Sequence, residues 1–162
     1  MANSVQDVHI LLVNQNPDNR RILAETLRTA GFRRLTETGD GRDAARVLRR
    51  ERIDLLITDV DIAPLDGWRL GRMVRSGIFL CDASIPLILV ATTWCERIAE
   101  TTAREFGFDA VIPLERYPDL PATLIDCLET PRTVARKPTL LVVEDFPDNA
   151  HLAERILQPR FT

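Results

Sequence analysis

From residue 8 to residue 129, short unbroken apolar runs alternate with stretches whose apolar residues recur at helical spacing. That alternation predicts a parallel β-sheet with helices on both faces, because strands covered on both sides need no polar alternation. The first run is His9-Ile10-Leu11-Leu12-Val13. Asn16-Pro17-Asp18 then makes a turn that sets Pro17 near the first helical position, where its missing N–H costs nothing. Ile22, Leu23 and Leu27 carry the helix on to Gly31. A weaker strand around Leu35 to Glu37 leads through Gly39-Asp40-Gly41 to a second helix marked by Ala44, Ala45, Val47 and Leu48.

The third strand, Ile53 to Thr58, ends in Asp59, and a loop to Pro64 leads into a helix from about Asp66, with Leu70, Met73 and Val74 inward. Pro86 to Val90 reads as a fourth strand, with a helix opening at Ala91-Thr92-Thr93 and running to Phe106, where Gly107 stops it. Ala110-Val111-Ile112 is a fifth strand and Leu120 to Leu128 a fifth helix. Five β/α units make residues 1–129 a complete small doubly wound α/β domain.

Residues 130–138, TPRTVARKP, hold two prolines and little to bury, and read as a linker. Beyond them lies an internal repeat. Thr139 to Leu157, TLLVVEDFPDNAHLAERIL, restates His9 to Leu27, HILLVNQNPDNRRILAETL, with Pro-Asp-Asn at the same distance after each buried strand. Residues 139–162 are therefore expected to be the first strand and helix of a second copy.

Composition changes this picture little. Of 162 residues 45% are apolar, enough for one core, and a net charge of -3 gives no overall reason to expect nucleic-acid binding. Cys81, Cys95 and Cys127 have neither zinc spacing nor an even count for disulfides, and read as ordinary thiols. The start, MANSVQDVH, lacks the basic-then-apolar character of a signal peptide. No apolar run approaches the roughly 20 residues that cross a bilayer. The expectation is a cytoplasmic chain with no membrane contact.

The run Asp54-Leu55-Leu56-Ile57-Thr58-Asp59, followed at fixed spacing by Pro64, Asp66 and Gly67, resembles the response-regulator receiver family over about residues 8–129. The resemblance implies a flavodoxin-like five-stranded parallel sheet, and Asp59 in the position of the phosphoacceptor. It also implies Mg²⁺ held by an acidic pair after strand one, by the acceptor and by a backbone carbonyl two residues on. A Ser/Thr after strand four, a lysine after strand five and an aromatic on strand five would complete the switch. Hard oxygen ligands suit that ion, which offsets the repulsion between carboxylate and phosphate.

At those accessory positions the chain departs from the pattern. The acidic pair is Asn14 and Gln15, the hydroxyl position is Ala91, the aromatic position is Val111, and the lysine position is Leu114. An amide oxygen can still meet a cation but brings no charge. If any metal binds, Asp59 and Asp61 are the candidate ligands, with Mg²⁺ held weakly, and no cofactor is expected. Asn14 and Gln15 could instead form a hydrogen-bonded cap that fixes one conformer without a ligand.

Three functions follow from the resemblance and its departures. The leading one is a degenerate receiver that is not itself an enzyme, acting as a regulatory protein-binding module, potentially within a larger hybrid histidine kinase. Its partner would be a histidine kinase, another receiver or an identical subunit. The alternative is a phosphorelay receiver still phosphorylated on Asp59. The lower alternative is a cyclic-dinucleotide sensor, resting on the Arg132 and Arg136 spacing alone. Trp94 and Tyr117 fall on the surface by which receivers commonly bind partners. Arg20-Arg21, Arg33-Arg34 and Arg49-Arg50 read as exposed pairs, and His9 and His151 lack triad or metal partners. In the tail, Glu144 and Asp145 keep the acidic pair that the first copy lacks.

Overall fold

The computed structural model describes residues 6–91 and 102–130. The chain divides into two units, Met1–Pro131 and Arg132–Thr162, and the first is the one described below. Thr92, Trp94, Cys95, Arg132, Arg136, the repeat at 139–157 with Glu144 and Asp145, and His151 lie outside the described residues.

Strands β1 (His9–Val13), β2 (Arg34–Thr38), β3 (Leu55–Asp59), β4 (Leu87–Ala91) and β5 (Ala110–Pro113) form one parallel sheet in the order β2-β1-β3-β4-β5. Helices α1 (Pro17–Thr29), α2 (Gly41–Arg50) and α3 (Gly67–Arg75) follow the first three strands. Residues 102–105 are helical (α4), and α5 (Leu120–Glu129) follows a 3₁₀ turn at Leu114–Asp119. Each of the first three helices is started by a side chain the sequence supplies. Asn16 accepts from the Asp18 and Asn19 N–H groups, Asp40 from Asp43 N–H, and Asp66 from Arg69 N–H. Such caps satisfy donors that the helix cannot.

Alternate residues of the strands feed two separate cores. Leu11, Val13, Leu56, Leu87 and Leu89 pack with α2 and α3 through Ala44, Leu48, Leu70 and Val74. Ile10, Leu12, Leu55, Ile57, Ile88 and Val90 pack with α1 and α5 through Leu23, Leu27, Leu120 and Leu124. Both faces being buried is the physical reason the strand runs are continuously apolar. The strand order reverses at the β1/β3 junction, so helices leaving those two strands diverge and open a crevice at their C-terminal ends.

At the opposite end, one arginine ties three segments together. Arg75 Nη1 donates to the carbonyls of Ala83 and Ile85 at 2.6 and 2.7 Å, and its Nε donates to Gly107 O at 2.8 Å. Its Nη2 donates to the Asp109 carboxylate at 2.9 Å, which also accepts from Leu87 N–H at 2.7 Å. Burial pulls the guanidinium down to about 10, which leaves it a cation at neutral pH. Arg75→Met keeps the aliphatic stem but removes these bonds, and is expected to lower the urea-unfolding free energy by about 2–3 kcal/mol, the cost of stranding polar groups. A loss under about 0.5 kcal/mol, the level of an ordinary surface change, would show that the tie contributes little.

Candidate functional site

Asn14 follows β1 directly and Asp59 ends β3, and the pairing of Val13 with Thr58 sets the two side by side at the crevice. Both side chains are buried, Asn14 at 1% exposure and Asp59 at 6%. Such burial of polar groups demands internal partners. Asn14 Nδ2 donates to Asp59 Oδ2 at 3.1 Å. The direction of that bond is fixed by Asn14's other end, because Oδ1 accepts from the backbone N–H of Asn16 at 2.9 Å. An N–H can only donate, so Oδ1 must face it and the NH₂ group must face the carboxylate.

The rest of the mouth is arranged around this pair. Arg20 Nη1 donates to the Asn14 carbonyl at 2.6 Å and so pins the loop after β1. Gln15, exposed, reaches across to accept from Ala63 N–H at 3.2 Å. Asp61 N–H points to Asp59 Oδ1 at 3.4 Å, while the Asp61 side chain faces solvent. Thr58 Oγ1 turns away and donates to the Asp59 carbonyl at 3.0 Å. Gly67 is required beneath: a Cβ there would lie 2.1 Å from the Asp59 carbonyl oxygen, a backbone clash that cannot relax cheaply. That close approach gives a physical reason for the Asp66-Gly67 pair.

The remaining positions bring no charge to the mouth. Ala91, at the end of β4, is buried and carries no hydroxyl. Strand β5 stops at Pro113, so Leu114 opens the 3₁₀ turn and packs against the α1/α5 core. Val111 packs against the α2/α3 core. Tyr117 is half-buried and lines a groove with Ile22, Thr26 and Pro121. His9 sits at the far end of β1, where its ring contacts Arg52 O and Thr36 Oγ1, well away from Asp59.

This donor set does not fit the Mg²⁺ that the family resemblance implies. The cation would need oxygens around Asp59, yet the Asn14 oxygen is committed to Asn16 N–H and an NH₂ group faces the carboxylate instead. Among the described residues no group of three or more His, Cys, Asp and Glu side chains could hold a metal. What the arrangement can do is satisfy a buried carboxylate without a cation. Burial is the largest influence on Asp59 and raises its pKa above 3.8, and the nearby Asp61 charge raises it further. The Asp61 and Val60 N–H groups and the Asn14 amide oppose that rise.

The response regulator receiver domain model matches residues 10–113. The chain belongs to that family. The receiver is 41% identical over 108 residues, 65% of this chain, to the sensor histidine kinase RcsC of Escherichia coli strain K12, of which it covers 10%. It is 40% identical over 74 residues, 46% of this chain and 8% of the relative, to RcsC of Salmonella typhimurium. The chain thus spans about a tenth of the length of these curated relatives. Among solved structures it resembles the receiver domain of a sensor histidine kinase from Pseudomonas aeruginosa, with a TM-score of 0.66 and 25% identity. That match covers 76% of this chain and 98% of the other, which holds a magnesium ion in its active site cleft. A signal receiver domain of a histidine kinase from Syntrophus aciditrophicus matches at a TM-score of 0.65 and 26% identity, covering 85% and 99%. These likenesses agree with the five-stranded sheet and flanking helices of the receiver.

Sequence reasoning missed the roles of Arg20, Thr58 and Arg75. Arg20 stands beside Arg21, whose ion pairs with Asp18 and Glu25 are exposed, and nothing in their adjacency separates the two.

The raised Asp59 pKa sets a pH dependence. Between 3.8 and the folded value the unfolded chain ionises first, so this group removes stability as pH rises through that window. Asp59→Asn keeps one oxygen for Asn14 and has no charge to bury, at the cost of the long 3.4 Å contact with Asp61 N–H, which its NH₂ cannot accept. It is expected to raise the unfolding free energy at neutral pH, with the gain shrinking as pH falls toward 3.8. Urea titrations across that range check it, and a variant less stable than wild type at neutral pH contradicts it.

Proposed function

We propose that this chain is a degenerate receiver of a two-component or phosphorelay protein, working as a protein-binding or regulatory module with little or no phosphorylation. The observation that carries this reading is the Asn14 Nδ2 to Asp59 Oδ2 hydrogen bond, which occupies the carboxylate with a neutral donor. Phosphoryl transfer to a carboxylate needs developing charge offset, and fixed cations or donors aimed at it are worth orders of magnitude in rate. Here Ala91 and Leu114 offer neither hydroxyl nor ammonium, and among the described residues Asp59 has no ion pair. A carboxylate held by an amide donor stays in one arrangement whether or not a partner is bound, which suits a constitutive docking surface.

The partner classes supported by the family are a histidine kinase, a phosphotransfer partner or a neighbouring receiver, met in the cytoplasm. We place the chain within a longer sensor kinase of the hybrid kind, as its similarity to the RcsC proteins suggests. The repeat at 139–157 fits the start of a second receiver joined through residues 130–138, and its Glu144 and Asp145 would give that copy the acidic pair absent from the first.

The second reading is a phosphorelay receiver that still accepts phosphate on Asp59, favoured by the acceptor's position at the crevice beside the Asp61 N–H. Incubation with acetyl phosphate and Mg²⁺, read by intact mass and repeated with Asp59→Asn, separates the two. Unmodified protein in both samples is the expected result. A phosphoryl adduct on the wild type that Asp59→Asn abolishes would replace the first reading with the second.

A further inference from the structure

Among the described residues, Ile78 and Leu80 are the exposed large apolar side chains, at 56% and 55% exposure. They flank Phe79, which is buried in the α2/α3 core, so one residue of this connection turns inward while its neighbours face out. The connection joins α3 to β4 and lies at the end of the sheet away from Asp59. It is also held firmly. Leu80 N–H donates to Leu48 O at 3.0 Å, Asp82 accepts from Ser84 N–H and Oγ, and Arg75 grips the carbonyls of Ala83 and Ile85. An apolar pair displayed on a rigid base loses little freedom when covered, and that favours binding.

The charges at the C-terminal end of α2, beside the pair, lean positive. Arg49, Arg50 and Arg52 stand against Glu51 and Asp82, a local balance of +1 (3 − 2) in a chain whose total is -3, and Glu51 is turned toward His9. The Arg49 guanidinium sits 5.6 Å over the Phe79 ring, and Arg52 is near enough to act on Asp82. Arg49 and Arg50 make no salt bridge among the described residues, and both are exposed.

We propose that this face docks a protein segment presenting aliphatic side chains flanked by carboxylates. An apolar centre inside an arginine rim has the anatomy of a protein interface. Exposed aromatics, on which nucleic-acid bases would stack, are absent from this patch among the described residues, and two aliphatic side chains are few for insertion into a membrane. The surface is remote from the crevice, so its binding is independent of whether Asp59 carries phosphate.

Fluorescence anisotropy with the full chain and a short helical peptide of leucine and glutamate tests the proposal. Saturable binding is expected, weakened about tenfold or more, or 1.4 kcal/mol, by Ile78→Asp with Leu80→Asp. Arg49→Glu with Arg50→Glu is expected to weaken it comparably, and Asp59→Asn to leave it unchanged. All four substituted surface positions are exposed, so the variants are expected to keep the wild-type circular dichroism. Failure of the peptide to bind, binding that survives the double aspartate change, or tighter binding to anionic vesicles or duplex DNA would overturn the proposal.

Discussion

A carboxylate at the end of a buried strand must be neutralised, solvated or hydrogen-bonded, and the whole mouth of this receiver follows from which of these is used. Asp59 is nearly inaccessible to water, and the group facing it is the NH₂ of Asn14. The amide cannot turn over, because its oxygen is needed by Asn16 N–H, which also lies at the cap of α1. The capping of a helix and the orientation of the site amide are thus one arrangement. Arg20 closes it by holding the carbonyl of the same residue.

Such a network has a cost and a benefit. Burial without a counter-ion raises the Asp59 pKa, so the folded state gives up stability to keep this residue charged. In exchange the mouth has a geometry set by its own side chains. Gly67 beneath Asp59 and the Gln15 contact with Ala63 N–H add to that definition from the neighbouring loops. The second core-building device, Arg75, sits at the opposite end and fixes the connection that displays Ile78 and Leu80. One end of the sheet therefore holds the amide-bound carboxylate, and the other an apolar display tied down by hydrogen bonds.

Much of this was legible in the sequence because burial on both sheet faces leaves unbroken apolar strands, as in Ile10 to Val13 and Leu55 to Ile57. The resemblance to the receiver family set Asp59, Pro64, Asp66 and Gly67 at the crevice. The resemblance set Asn14, Gln15 and Leu114 at positions where the family carries charge, and Ala91 where it carries a hydroxyl. What could not be read was direction: a sequence names an amide but not which end faces a carboxylate, since that depends on a backbone N–H two residues away. Arg75 was hidden for a similar reason. Three of its four acceptors are backbone carbonyls, which every sequence has everywhere. Exposure of Ile78 and Leu80 likewise depended on Phe79 taking the single inward place among three consecutive large apolar residues.

The most direct test of the central bond is a Mg²⁺ titration of the full chain followed by NMR through the backbone amides of Asn14, Asp59 and Asp61 and the Asn14 side-chain NH₂. With the carboxylate already held by the amide, these signals should show no saturable, site-specific shift. Saturable uptake that displaces the Asn14 NH₂ signals and disappears in Asp59→Asn would contradict the account.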